Sequence, residues 1–188
     1  KTYVWNPSTF QYSELNTITP PVDAANMNYG WAHKIAEPGA SSVRSTATKY
    51  LFVSAIGHNS YAGRVYMYEW GLGADGSTYD TWTQNLVIDS PDGGTGKRFG
   101  HRIETNDNGD ILAVSSVAPG NAGKVEIFVR TSQSSDDSVQ HSFSLVQTLY
   151  GTASEDSTLN TKFGDSLAMS KDGTTLIIGA PGADLTNQ

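Results

Sequence analysis

Apolar residues along this chain come in short clusters, each bounded by Gly, Asn, Asp or Pro. Typical clusters are Tyr50-Leu51-Phe52-Val53-Ser54-Ala55, Ile111-Leu112-Ala113-Val114-Ser115-Ser116 and Thr175-Leu176-Ile177-Ile178-Gly179-Ala180. Their β-branched and aromatic content suits a pleated, half-buried surface, and their length suits strands rather than helices. No segment sustains a 3.6-residue apolar period. A parallel α/β fold, which needs helical crossovers, is therefore excluded. No apolar run approaches the ~18 residues of a membrane-crossing helix, and no charged start leads into an apolar leader. Membrane insertion is not expected.

The clusters recur. An aromatic–glycine pair occurs three times, as Tyr29-Gly30, Phe99-Gly100 and Phe163-Gly164, and each is followed by one of the clusters above. Aligning Val53, Val114 and Ile178 gives steps of 61 and 64 residues. A second strand family reads Lys1-Thr2-Tyr3-Val4-Trp5, Val65-Tyr66-Met67-Tyr68 and Val125-Glu126-Ile127-Phe128, the last two preceded by Ala62-Gly63-Arg64 and Ala122-Gly123-Lys124. A third family ends at Ile18, Leu86 and Leu149 and begins near Phe10 or Tyr12, Trp82 and Phe143. Four short strands per period is the pattern of a β-propeller, whose blades are four-stranded antiparallel sheets. A glycine after the aromatic lets the backbone approach a neighbouring blade or adopt positive φ.

The third copy, Phe163-Gly164-Asp165-Ser166-Leu167-Ala168-Met169-Ser170-Lys171-Asp172-Gly173 with Gly179-Ala180-Pro181, resembles the FG-GAP repeat of integrin α-subunit propellers and of bacterial and phage surface proteins. Copy two departs from it with Ser115-Ser116-Val117 in place of Gly-Ala-Pro, and copy one with Ser54-Ala55-Ile56. The resemblance implies an all-β propeller segment of about three blade equivalents. Residues 29–88 and 99–150 are then full blades, 1–18 the outer half of a blade and 163–188 the inner half of another. Three blades are too few to close a ring. Neighbouring blades are expected from the same longer chain or from another copy.

Composition narrows the chemistry. Only 16% of residues are charged, while Gly, Ser, Thr and Asn fill over a third of the chain, which is turn chemistry rather than polyelectrolyte disorder. A net charge of −7 without a basic patch argues against nucleic acid. The absence of cysteine removes disulfides, zinc–thiolate sites and thiol nucleophiles. No G-x-S-x-G elbow is present, and Gly93-Gly94-Thr95-Gly96-Lys97 lacks the spacing of a phosphate loop. The acidic pairs Asp136-Asp137 and Glu155-Asp156 read as solvated loop charges.

The resemblance also implies calcium in the turn between the first two strands of a blade. Hard cations need several oxygens, and only Asn106-Asp107-Asn108-Gly109-Asp110 supplies them, through Asp107, Asn108 and Asp110. That loop is shorter than the family's, and Asp172-Gly173 reads as an ordinary hairpin turn. No other cofactor is expected.

In a propeller the loops gather on two faces, and recognition concentrates in loops on a rigid scaffold. One face collects 56–63, 117–123 and 181–188 with 19–28, 89–98 and 150–162. It offers His58, Asn59, Tyr61 and Tyr150 as partner contacts, Tyr being a frequent contact residue. The opposite face carries 69–80 and 130–142, where Thr131 to Ser138 reads as a flexible tip. The expected function is a non-enzymatic structural or adhesive module of an extracellular, cell-surface or virion protein, presenting loops to a protein or glycan. The competing reading is a propeller hydrolase or lyase built on His33, Lys34, His101, Arg102, Glu104 and Asp165 at the central channel. A calcium-stabilised structural repeat is the third.

Overall fold

The computed structural model describes residues 1–21, 27–39, 49–72, 79–135, 138–151 and 160–183. Its strands are β1 (Thr2–Asn6), β2 (Gln11–Asn16), β3 (Tyr29–Ala36), β4 (Tyr50–Ala55), β5 (Arg64–Leu72), β6 (Tyr79–Asp89), β7 (Phe99–Thr105), β8 (Ile111–Ser116), β9 (Lys124–Ser135), β10 (Ser138–Tyr150), β11 (Ser166–Met169) and β12 (Leu176–Gly179). All pair antiparallel with their chain neighbours. The protein is all-β: two four-stranded sheets, β3-β4-β5-β6 and β7-β8-β9-β10, and two hairpins, β1-β2 and β11-β12. The described strands close into no ring.

The first four-stranded sheet is apolar on both faces, which is why β4 reads as a continuous apolar run and is buried along its whole length. On one face Tyr50, Phe52, Val65, Met67 and Ile88 pack against Phe99, Ile103, Leu112, Val114 and Phe128 of the second sheet. On the other, Leu51, Val53, Ala55, Tyr66 and Tyr68 pack with Tyr29 and Trp82, and Ile18 beyond β2 joins them.

Two of the three aromatic–glycine pairs make the layers meet, whereas nothing lies within 4 Å of a Cβ placed on Gly30. Gly100 has φ +90°, and a Cβ there would lie 2.6 Å from Ser54 Cβ of the preceding sheet. Gly164 has φ +91°, and its Cβ would lie 2.7 Å from Ser115 Cβ, the matching position one layer on. The Phe99 N–H donates to the Ala62 carbonyl at 3.0 Å, and the Phe163 N–H to Ala122 at 2.8 Å. Gly63 and Gly123 permit this approach, since a Cβ at either would fall on the carbonyl of Phe99 or Phe163. The residue before each aromatic is left-handed as well: Asn28 (φ 54°), Arg98 (φ 59°) and Lys162 (φ 54°).

The departures from Gly-Ala-Pro have a local reason. Ser54 Oγ accepts from the Ala32 N–H, and Ser115 Oγ from the Arg102 N–H, both at 3.0 Å, filling the irregular start of β3 and β7. In the C-terminal hairpin the serine moves to the facing strand, and a Cβ on Gly179 would fall on Ser166 Oγ. Serine thus stands at the position that Ala32 and Arg102 hold in the other two copies, and glycine where they have serine.

Two sequence readings are corrected. Residues 69–80 and 130–142 are not simply loops, and 131–138 is not simply a tip. β9 runs to Ser135 and β10 restarts at Ser138, with Ser135 opposite Ser138. A ladder is made by backbone groups, so a Ser/Thr-rich segment extends a hairpin without apolar side chains. The register of the third strand family also shifts. A bulge follows Met67 in one sheet and separates Ile127 from Phe128 in the other; in the N-terminal hairpin it falls between Thr2 and Tyr3. Ile88, not Leu86, then matches Ile18 and Leu149, and Tyr3 matches Tyr68. Leu86 and Ile88 alternate onto one face, so the apolar pattern alone could not separate them.

Candidate functional site

Backbone contacts join the loops at one edge of the stack. Between β4 and β5 lies one helical turn, His58–Tyr61, in which Asn59 (φ 46°), Ser60 (φ 54°) and Tyr61 (φ 63°) are left-handed. Each such non-glycine residue costs about 1–2 kcal/mol, so the turn must be held from outside. Ser60 and Tyr61 carbonyls accept from the N–H groups of Gly96 and Arg98, at 3.0 and 2.8 Å. The Arg98 guanidinium lies 5.4 Å from the Tyr61 ring centroid. His58 is half-buried, while Asn59 and Tyr61 are exposed. Three predicted partner contacts thus stand on one stapled turn. Tyr150, the fourth, stands one layer on.

There a cleft opens between Lys97, Ser116, Asn121, Ala122, Gly123, Lys124 and Tyr150. Beneath it the Lys124 ammonium, almost wholly buried, is 2.7 Å from Asp92 Oδ2 and 3.1 Å from Glu126 Oε1. Asp92 Oδ1 accepts from the Ser90 hydroxyl at 2.6 Å. Burial pushes the Glu126 carboxyl above the usual carboxylate range, and Lys124 only partly offsets it. Burial works against the Lys124 charge too, but Asp92 and Glu126 outweigh it and hold its pKa above the ordinary value. Burial also opposes the Asp92 charge, and the Lys124 and Ser90 hydrogen bonds overcome it and lower its pKa. Glu126 Oε2 and Ser116 Oγ are both buried, and the Ser116 hydroxyl beside the carboxylate favours its charge.

The candidate calcium ligands are engaged otherwise. Asp110 accepts from Asn106 Nδ2 at 2.5 Å, and Asn106 Oδ1 accepts from the N–H groups of Asp110 and Ile111. The Asn108 carbonyl accepts from the Arg130 guanidinium at 3.0 Å, and Asp107 faces Lys171 Nζ at 4.0 Å. Among the described residues no three His, Asp or Glu side chains are grouped to hold a metal ion. In the next turn Asp172 accepts from Ser170 and Thr174, which lowers its pKa to about 2.

The ionisable residues of the inner strands pair across layers. His101 Nε2 is 3.2 Å from Asp165 Oδ1, and its ring lies 5.9 Å from that of Trp31. Burial and the neighbouring Arg102 hold His101 below the ordinary histidine pKa against the pull of Asp165. Lys34 meets Glu104 at 2.7 Å. The pairs Asp136-Asp137 and Glu155-Asp156 lie outside the described residues.

Sequence reasoning missed Asp92, Lys97, Arg98, Lys124 and Glu126. One signal was legible: Glu126 interrupts Val125, Ile127 and Phe128 at a core strand position, where an acid implies a buried partner. No protein-family model matches the chain, and no curated protein shows significant similarity to it.

Proposed function

We propose that this chain is a section of an FG-GAP-like β-propeller and serves as a rigid recognition module, holding one edge of loops against a protein or glycan partner. It acts without chemistry of its own, in an extracellular, cell-surface or virion protein. Neighbouring blades, from a longer chain or another copy, complete the ring. The layer-to-layer contact made by Phe99 on Ala62 and again by Phe163 on Ala122 supports the propeller reading.

The observation that carries the recognition reading is the His58–Tyr61 turn. Three consecutive exposed or half-exposed residues are held left-handed by the next linker. Strain of this kind gathers at functional positions, because nothing in the packing of a sheet requires it. The enzymatic alternative finds less support. His101–Asp165 and Lys34–Glu104, the residues that reading expects together at a central channel, instead bridge layers in separate pairs.

The test is binding of the fluorescently labelled protein to arrayed glycans and extracellular protein domains. Tyr61→Ala and Arg98→Ala are expected to weaken binding at least tenfold with little change in melting temperature. Lys171→Ala, at the opposite edge, leaves it unchanged. Binding lost with Lys171→Ala and retained with Tyr61→Ala would contradict the assignment of the recognition edge.

A further inference from the structure

The residue that follows each aromatic–glycine pair joins a row across the layers: Trp31, His101 and Asp165. The Trp31 and His101 rings lie 5.9 Å apart, and His101 Nε2 is 3.2 Å from Asp165 Oδ1. Trp31 is exposed and Asp165 half-buried, but His101 between them is only 8% exposed. Nε2 faces the carboxylate, so the neutral ring carries its proton there and donates it. Nδ1 is buried and has no hydrogen-bond partner among the described residues. As a bare lone pair it can stay dry. A second proton would make it a donor that faces no acceptor, in a place water does not reach.

We propose that His101 makes the seam between the second sheet and the C-terminal hairpin acid-sensitive: the neutral ring closes the seam through Asp165, and a second proton on the ring loosens it. Three charges act on the ring. Arg102 and Arg98, on its own segment, oppose another positive charge, and Asp165 across the seam favours it. The Asp165 side chain is 39% exposed, so solvent screens its pull. Burial adds to the two arginines, and the balance holds the ring below its ordinary pKa of 6.5. Other charges on the packed elements are spent elsewhere: Lys34 of β3 on Glu104, and Arg64 of β5 on Asp89. β4 and β8 meet the start of β7 with serines, Ser54 and Ser115. A folded-state pKa below the unfolded value means that the unfolded chain binds more protons. The contribution is therefore whole above pH 6.5 and is lost as pH falls below it toward the folded pKa. The seam is also held by the Phe163 and Asp107 N–H groups, donated to the Ala122 and Lys171 carbonyls, and neither bond titrates.

Two NMR measurements on the 188-residue chain test it. In the first, the ring signals of His101 are followed against pH. Their midpoint is expected below 6.5, and lower still in Asp165→Asn, which removes the one charge that favours the imidazolium. A midpoint at or above 6.5, or one that Asp165→Asn leaves in place, would overturn the proposal. In the second, amide exchange at Phe163 is compared between the parent and His101→Gln. The other titrating groups, His141 and Glu126 among them, are common to both proteins, so the ratio of parent to variant protection isolates the ring. That ratio is expected to fall about threefold or more between pH ~7.5 and pH ~5. A ratio that stays constant, or rises, would overturn the proposal even where the ring titrates as expected.

Discussion

Gly63→Ala is expected to lower the unfolding free energy by about 3 kcal/mol, read from urea denaturation. Its φ of +88° is a strained conformation for any side chain, worth about 1–3 kcal/mol. The added Cβ also falls on the Phe99 carbonyl, so one layer must move off the other and the Phe99–Ala62 hydrogen bond opens, a further ~0.5–1.5 kcal/mol. Gly71→Ala is the control. It lies in β5, the strand that opens just after Gly63, has no neighbour within 4 Å of its Cβ position and no left-handed φ, so a change within about 0.5 kcal/mol is expected. Equal costs at the two sites would mean that close layer contact is not what Gly63 provides.

The second large effect belongs to Lys124. Lys124→Met leaves Glu126 buried without its cation, which typically costs about 3–5 kcal/mol. The penalty has a pH signature. Burial already raises the folded-state pKa of Glu126 above its unfolded value near 4.5. The folded state therefore holds its proton more tightly, and its contribution favours folding at low pH and fades as pH rises through the folded pKa. Removing the ammonium raises that pKa further, so the variant is nearly as stable as the parent below pH ~4.5 and falls behind as pH rises. Adding Glu126→Gln to Lys124→Met recovers much of the loss at neutral pH. A penalty independent of pH, or no recovery in the double variant, would show that Lys124 acts through packing instead.

Much of the architecture was legible because short-range rules carried it. The clusters around Val53 and Val114 became central strands and that around Ile178 a hairpin strand, and Phe99-Gly100 and Phe163-Gly164 became close contacts between layers, as an aromatic followed by glycine implies. What escaped was set by partners far away in sequence. Nothing near residue 60 announces three left-handed residues, since the N–H groups that hold them belong to Gly96 and Arg98. The Ala-Gly-Arg and Ala-Gly-Lys tripeptides were visible as a recurrence, yet their purpose depends on the aromatic that arrives about 40 residues later. Asp92, Lys124 and Glu126 meet because a linker crosses between sheets, which no local pattern encodes. The extension of β9 and β10 into a Ser/Thr-rich stretch was hidden because backbone pairing leaves no mark in hydrophobicity. Of the candidate contacts, Asn59, Tyr61 and Tyr150 do stand exposed along one edge, and in the Asn106–Asp110 turn the side chains of Asn106 and Asp110 bond each other.

The sheets stack through an aromatic–glycine corner, and amide hydrogen exchange reads that corner directly. The N–H groups of Phe99 and Phe163 leave their own sheets and donate across the layer boundary to Ala62 and Ala122. Exchange of both amides is expected to be as slow as that of Val53 and Val114 in the central strands, because stacked layers that open only on unfolding protect the amides between them as long as those within a ladder. Phe99 and Phe163 amides exchanging as fast as Gly120 in its exposed loop, while Val53 and Val114 stay protected, would contradict it.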